Sequence, residues 1–358
     1  MSKKVIEKKN RLLTLDYLRG FFIVVIIIDH FSRWPSILSF ISGKALLWVT
    51  AAEGFVAISG LLVGYVRGYK NRDLPMKEVA MKLLRRAFLL YIWSVIASLI
   101  YTAIIWYVHF QGGAPGLPIE KGEWVELIYQ TLTLKYTYLW VHYLTLYALF
   151  LAAAPIAIWL LRRNQAWLVI LLSVIGLYVG YLTNNQALQW QVMFFVPSVA
   201  GFYLEPMTKW WKQLASKVRT SLTISVISLT VVTIGISILF SFYSYGFESF
   251  ANFVNNTIFA KETLTPWRTL MAFLWFTGFA LTFNLLGTYI GKWFGWLLLP
   301  FGTRSLTAYI LHGVAICLIS YFTLSGDNMI INSLLGIVCI LVVWALIKIP
   351  AVQKIVPS

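Results

Sequence analysis

TLDYLRGFFIVVIIIDHFSRW, residues 14–34, is an apolar run of membrane-spanning length that also carries Arg19 and His30. About 20 apolar residues, at 1.5 Å per residue, cross the roughly 30 Å hydrocarbon core, so the stretch predicts a transmembrane helix. Eleven residues at about 100° each make roughly three turns, which places Arg19 and His30 on one face, about 16 Å apart along the axis. Ionisable groups inside lipid are costly and mark function by default. A cation near one end and an imidazole near the other suit a long anionic molecule whose reactive terminus meets the imidazole. The plainer alternative is an arginine snorkelling to the rim and a satisfied interfacial histidine. Asp16, three residues before Arg19, is placed to neutralise it partly. Asp29 adjoins His30 but points about 100° away, so it should face another helix.

Outward from this helix the composition agrees with a bilayer. The chain of 358 residues is 59% hydrophobic and 12% charged, where a soluble domain holds roughly 25% charged residues. The basic start MSKKVIEKKNR leads into the apolar run with no cleavage-like site, so residues 1–13 read as the cytoplasmic flank of a first span and not as a signal peptide. Cys317 and Cys339, both in apolar segments, offer no disulfide framework, and four scattered histidines have no metal-binding spacing. No metal and no tightly bound cofactor is expected.

Hydropathy predicts an all-α polytopic integral membrane protein with about ten spans, near 14–33, 45–69, 84–109, 138–161, 166–183, 188–204, 220–241, 267–287, 304–323 and 328–349. The sixth holds Pro197 and is expected to kink there. A long outer segment, 110–137, includes GGAPGLP and a stretch from Trp124 to Lys135 suited to an interfacial helix. With both termini inside, only Arg33, Lys44, Lys121, Lys135, Lys261 and Arg268 of the 29 Lys and Arg fall outside. That bias favours N-in and C-in. It also accounts for most of the net charge of +16; nucleic acid is not an expected partner, because the excess is spread over short loops. No repeat is visible, and the whole of 1–358 reads as one membrane domain.

Further ionisable and aromatic residues cluster at the two faces. Glu53, in AAEGFVAISG, lies at a depth comparable with His30 on the antiparallel neighbour, and a contact between them would fix the imidazole tautomer. A structural pairing of Glu53 with Arg33, Arg268 or a tyrosine is the competing reading. Gly54, Ser59, Gly60 and Gly64 follow, small residues that permit close helix contact. Arg85 and Arg86, in RRAFLLY, would join Arg67, Lys77 and Lys82 in a cationic funnel for phosphates, or simply anchor the inner face. Trp140 and His142, in YLWVHYLTLY, and Trp267 and Arg268, in TPWRTL, lie at the outer side, where tryptophan faces could stack on a saccharide. They are also what an interfacial aromatic belt looks like. His312, in RSLTAYILHGV, reads as a hydrogen-bonded packing residue.

These segments resemble a known family. Arg19 and His30 resemble the R/K-x10-H pattern in the first helix of the acyltransferase-3 superfamily, and AAEGFVAISG resembles its second-helix signature. The run LDYLRG, IDHF, AAEGFVAISGLLVG, RRAFLLY, LWVHYLTLYALFLAAAP and GTRSLTAYILH is similar to the OpgC branch, whose members succinylate periplasmic glucans. The resemblance spans about Leu15 to His312. It implies an inner-membrane O-acyltransferase that carries an acetyl- or succinyl-class group from cytosolic acyl-CoA, as co-substrate, to a hydroxyl of an outer saccharide or glycan. Arg19, Arg85 and Arg86 would bind the donor, His30 would be the base or acyl carrier, and Glu53 would orient it. Trp140, His142, Trp267 and Arg268 would touch the acceptor. No SGNH-type esterase domain is expected after the short C-terminus, so any transfer would be completed within the membrane domain or by a partner. A flippase for a lipid-linked saccharide, or a non-catalytic membrane sensor, would share the helices without needing the Arg19–His30 pair.

Overall fold

The computed structural model describes residues 3–44, 46–107, 117–242, 246–260, 263–322 and 326–356. Residues 112–116 of GGAPGLP and Lys261, expected on the outer side, lie outside the described residues. Helices and their connections make up everything described, with no strand among the described residues. A helix meets its own backbone hydrogen-bonding needs in lipid, which an open sheet does not.

The chain begins with α1 (Lys3–Phe31), α2 (Ile37–Ser42), α3 (Ala51–Leu62), α4 (Met76–Tyr107), α5 (Trp124–Leu132) and α6 (His142–Arg162). It continues through α7 (Ala166–Thr183), α8 (Gln186–Trp190), α9 (Val192–Phe202), α10 (Leu204–Gln213), α11 (Ser216–Phe242) and α12 (Glu248–Phe253). The last are α13 (Pro266–Leu285), α14 (Gly287–Thr303), α15 (Ser305–Phe322), α16 (Met329–Leu346) and α17 (Pro350–Ile355).

Among the described residues, six segments are long and apolar enough to cross a membrane: Met76–Tyr107, Leu139–Arg162, Ala166–Thr183, Ser216–Phe242, Ser305–Phe322 and Met329–Leu346. Two sharply bent pairs, α8–α9 with α10 and α13 with α14, raise the number to 8 if each pair is one span. The protein is a multi-pass membrane protein. The first two expected spans fall outside this set for local reasons. Asp16, Arg19 and Asp29 interrupt the apolar stretch of α1. The second expected span is divided between α3 and a π-helical segment, Val63–Lys70, that ends in Arg67 and Lys70.

The expected kink at Pro197 is displaced. Pro197 continues inside α9, and the breaks fall at Gln191, between α8 and α9, and at Tyr203, where the chain bends by 61° into α10. Side-chain amides explain the first break: Gln191 donates to the Ser173 carbonyl at 2.7 Å and Gln189 to the Gly180 carbonyl at 3.0 Å, tying the junction to α7. A second difference is α14, which fills the interval between the expected spans 267–287 and 304–323. It exposes Tyr289, Trp293, Phe294 and Trp296, a face suited to the membrane–water boundary. The interfacial helix expected from Trp124 is present as α5, with Leu127 and Thr131 buried and Val125, Ile128, Tyr129 and Leu132 exposed.

Two compact units interleave along the sequence. The first comprises Met1–Leu15, Ala45–Ala87 and Leu149–Ile290; the second comprises Asp16–Lys44, Phe88–Ala148 and Gly291–Ser358. In the first, α3 and the π-segment pack on α9 at backbone distance. A Cβ at Gly60 would overlap the Phe194 backbone and one at Gly64 the Ser198 backbone, which is the close contact the small residues allow. In the second, Gly20 of α1 and Gly302 of α14 meet in the same way, each against the other helix's main chain. There α15 packs on α16, whose first turn is capped by the Asn328 carboxamide, and α16 reaches α2.

Candidate active site

The close crossing of α1 and α14 sets the position of Arg19. Its Nη1 donates to the Gly302 carbonyl at 3.2 Å and lies 3.9 Å from Asp16 Oδ1, the local pair expected from the sequence. The side chain keeps 17% of its surface exposed. A guanidinium carries five N–H donors in a fixed fork, so a single carbonyl leaves donors for an anion.

Eleven residues further on, His30 meets a group whose role was not legible in the sequence. His30 Nδ1 lies 2.7 Å from His312 Nε2, with ring centroids 4.9 Å apart. On the far side of that second ring, His312 Nδ1 is 2.5 Å from the Tyr309 carbonyl oxygen. His312 is 0% exposed, whereas His30 is partly exposed. Trp140 stacks beside His30 at 6.3 Å and 20° between planes, and lies 6.2 Å from His312. Tyr101 and Tyr138 stand edge-on to Trp140 at 6.0 and 5.2 Å, and the Tyr101 hydroxyl donates to the Ile310 carbonyl. The imidazole pair thus sits against an aromatic wall. The only signal in the sequence was that His312 is itself an ionisable group inside an apolar helix; nothing local named its partner.

Asp29 is turned away from this pair. Ser42 Oγ donates to Asp29 Oδ1 at 2.7 Å, in keeping with its 100° offset from His30. Nearby, Lys44 donates to the Ser32 hydroxyl; burial pushes its ammonium below the usual lysine value, and the Asp29 carboxylate opposes that.

Glu53, expected to orient His30, is instead held by partners within the first unit. Arg268 Nε donates to Glu53 Oε1 at 2.6 Å and Nη2 approaches the same oxygen at 2.5 Å. The other oxygen, Oε2, accepts from the Thr50 amide at 3.1 Å and the Thr50 hydroxyl at 2.5 Å, which closes a capping box on α3. A carboxylate with 0% exposure needs a charged partner to remain ionised, and a guanidinium fork meets that need better than a neutral imidazole. The same geometry corrects the expectation for Arg268 as an acceptor contact. It is 1% exposed, and its Nη1 donates to the Ala260 carbonyl at 3.0 Å, so its donors serve the interior.

The remaining expected residues are more dispersed. Arg85, exposed on α4, lines a shallow hollow of about 390 Å³ with Lys77, Glu78, Met81 and Lys82; Lys82 is paired to Glu78 at 2.5 Å. Arg86 is half-buried beside it in sequence. Trp267 is exposed at the start of α13, and half-buried His142 lies edge-on to Tyr143 at 5.8 Å. Arg85, Arg86 and Trp267 belong to the first unit; Arg19, His30, Trp140, His142 and His312 belong to the second.

A multi-pass helical membrane protein with a hydrogen-bonded imidazole pair, and an arginine three turns away on the same helix, is the class these features define. Within that class, residues 11–354 match the family described as OpgC protein, and the chain belongs to it. No curated protein and no solved structure was found to match the chain.

Proposed function

We propose that the protein is an inner-membrane O-acyltransferase that moves an acetyl- or succinyl-class group from cytosolic acyl-CoA to a hydroxyl of an extracytoplasmic saccharide or glycan. Membership of the OpgC family over 11–354 supports a membrane acyltransferase acting on a glucan. The observation that carries the mechanism is His30 itself: a partly exposed imidazole within an apolar helix, hydrogen-bonded on its other edge to a fully buried imidazole. In this reading the chain is a single membrane domain with about ten spans and both termini in the cytoplasm, a topology that its basic asymmetry supports.

Arg19 holds the phosphates of the donor and the extended pantetheine arm runs along the α1 stripe, whose roughly 16 Å matches a chain of that class. Arg85 and Arg86 add long-range attraction for the anionic donor from the cytoplasmic side. At the other end, buried Trp140 backs the reacting imidazole, and half-buried His142 is the further acceptor contact of the same unit. The acceptor hydroxyl gives its proton to His30 as its oxygen attacks the thioester carbon. The new C–O bond forms, the C–S bond breaks, and the imidazolium returns the proton to the departing thiolate, leaving an ester and free CoA thiol. No charged side chain need be created in the resting site.

Purified protein in lipid nanodiscs, given radiolabelled acyl-CoA and a soluble glucan, tests the reading. Labelled ester should form, and His30→Ala should lower turnover about 10²- to 10⁴-fold while donor binding stays nearly intact. Wild-type turnover by His30→Ala would remove the mechanism.

A further inference from the structure

The chain of contacts from Tyr309 to His30 has a direction. A backbone carbonyl only accepts, so His312 Nδ1, 2.5 Å from the Tyr309 oxygen, carries a proton. A neutral imidazole has one N–H, which leaves a lone pair on His312 Nε2. The atom 2.7 Å away, His30 Nδ1, must therefore be the donor of that hydrogen bond. With its single proton on Nδ1, His30 presents a lone pair at Nε2.

We propose that His312 is a positioning residue that fixes His30 as the Nδ1–H tautomer and so makes Nε2 the nitrogen that takes the acceptor proton. With 0% exposure, His312 does not meet substrate and acts only through His30. The Trp140 ring, stacked nearly parallel to His30 at 20°, restricts the tilt of the same imidazole. In serine hydrolases a buried carboxylate performs this orienting task. A neutral imidazole performs it here without placing an ion in an apolar interior, where an uncompensated charge is expensive.

The arrangement also favours the reacting state. When His30 accepts a proton at Nε2, its Nδ1–H becomes the donor of a charge-assisted bond to His312, roughly twice as strong as the neutral one. The partner thereby stabilises the protonated intermediate more than the resting enzyme, which is the condition for raising kcat. The source of the proton rests on the acyl-transfer reading; the tautomer does not.

Two measurements on the full-length protein in nanodiscs separate these. ¹⁵N-histidine labelling gives four histidines to resolve, each assigned by the signal lost on its substitution. Wild type should show His30 with its proton on Nδ1, and His312→Leu should lose that preference. In acyl transfer, His312→Leu should lower kcat about 10- to 100-fold with KM for acyl-CoA within about twofold. His312→Gln, whose side-chain oxygen can accept from Nδ1, should recover most of the loss. A His30 proton on Nε2 in the wild type would overturn the proposal, as would a wild-type kcat in His312→Leu or equal losses in stably folded Leu and Gln variants. Absence of any acyl transfer by wild type would end the acyl-transfer reading while the tautomer still decides the pair.

Discussion

Glu53→Gln distinguishes a structural from a catalytic carboxylate. The side chains of Arg268 and Glu53 are 2% and 0% exposed, and both Glu53 oxygens are occupied, one by Arg268 and the other by Thr50. Neutralising the carboxylate leaves a buried guanidinium without its counter-ion, and breaking a buried pair by removing one partner costs about 3–5 kcal/mol. For a chain of this size that corresponds to a fall in apparent melting temperature on the order of 4–7 °C. The assay is thermal unfolding in nanodiscs, followed by tryptophan fluorescence at a fixed scan rate. Replacing both partners, Glu53→Leu with Arg268→Met, should recover much of the loss, because no charge then remains buried. Turnover per folded molecule should stay within a few-fold of wild type. If Glu53→Gln melted like wild type but lost turnover to the level of His30→Ala, Glu53 would belong to the chemistry and the structural assignment would be wrong.

Arg19→Ala should weaken acyl-CoA binding about 10- to 150-fold, the equivalent of losing roughly 1.5–3 kcal/mol from a charge-assisted contact; unchanged affinity in isothermal titration removes the donor role. Arg85→Ala and Arg86→Ala should give smaller effects that shrink as salt is raised, because exposed charges are screened, and a loss insensitive to salt would point to direct contact. Cysteines placed at Ser2 and Asn71 should resist labelling from outside intact cells while those at Gly113 and Ser325 react; the reverse pattern refutes N-in and C-in. Gly60→Val should destabilise the protein by forcing α3 off the Phe194 backbone, at a cost of at least 1–3 kcal/mol typical of overpacking; a wild-type melting temperature would show that the crossing is not close.

What the sequence settled was local. Apolar runs, Lys and Arg asymmetry and a 100° turn per residue were enough for an all-helical multi-pass protein, for Arg19 and His30 on one stripe, for the Asp16–Arg19 pair and for Asp29 facing away from His30. Each depends on residues within a few turns of one another. The same holds for the small residues of α3, whose spacing announces a close neighbour without naming it. Tertiary structure chose the partners. His30 and His312 are 282 residues apart in sequence, and Glu53 and Arg268 are 215 apart. No periodicity couples such positions, so the sequence offered Glu53 several cations or an imidazole with nothing to rank them. Burial ranked them: a carboxylate shut away from solvent took the guanidinium, and the neutral imidazole was left to another neutral imidazole. The displaced break in the sixth expected span has the same origin, since side-chain amides at Gln189 and Gln191 bind carbonyls of α7 that only the folded chain brings within reach.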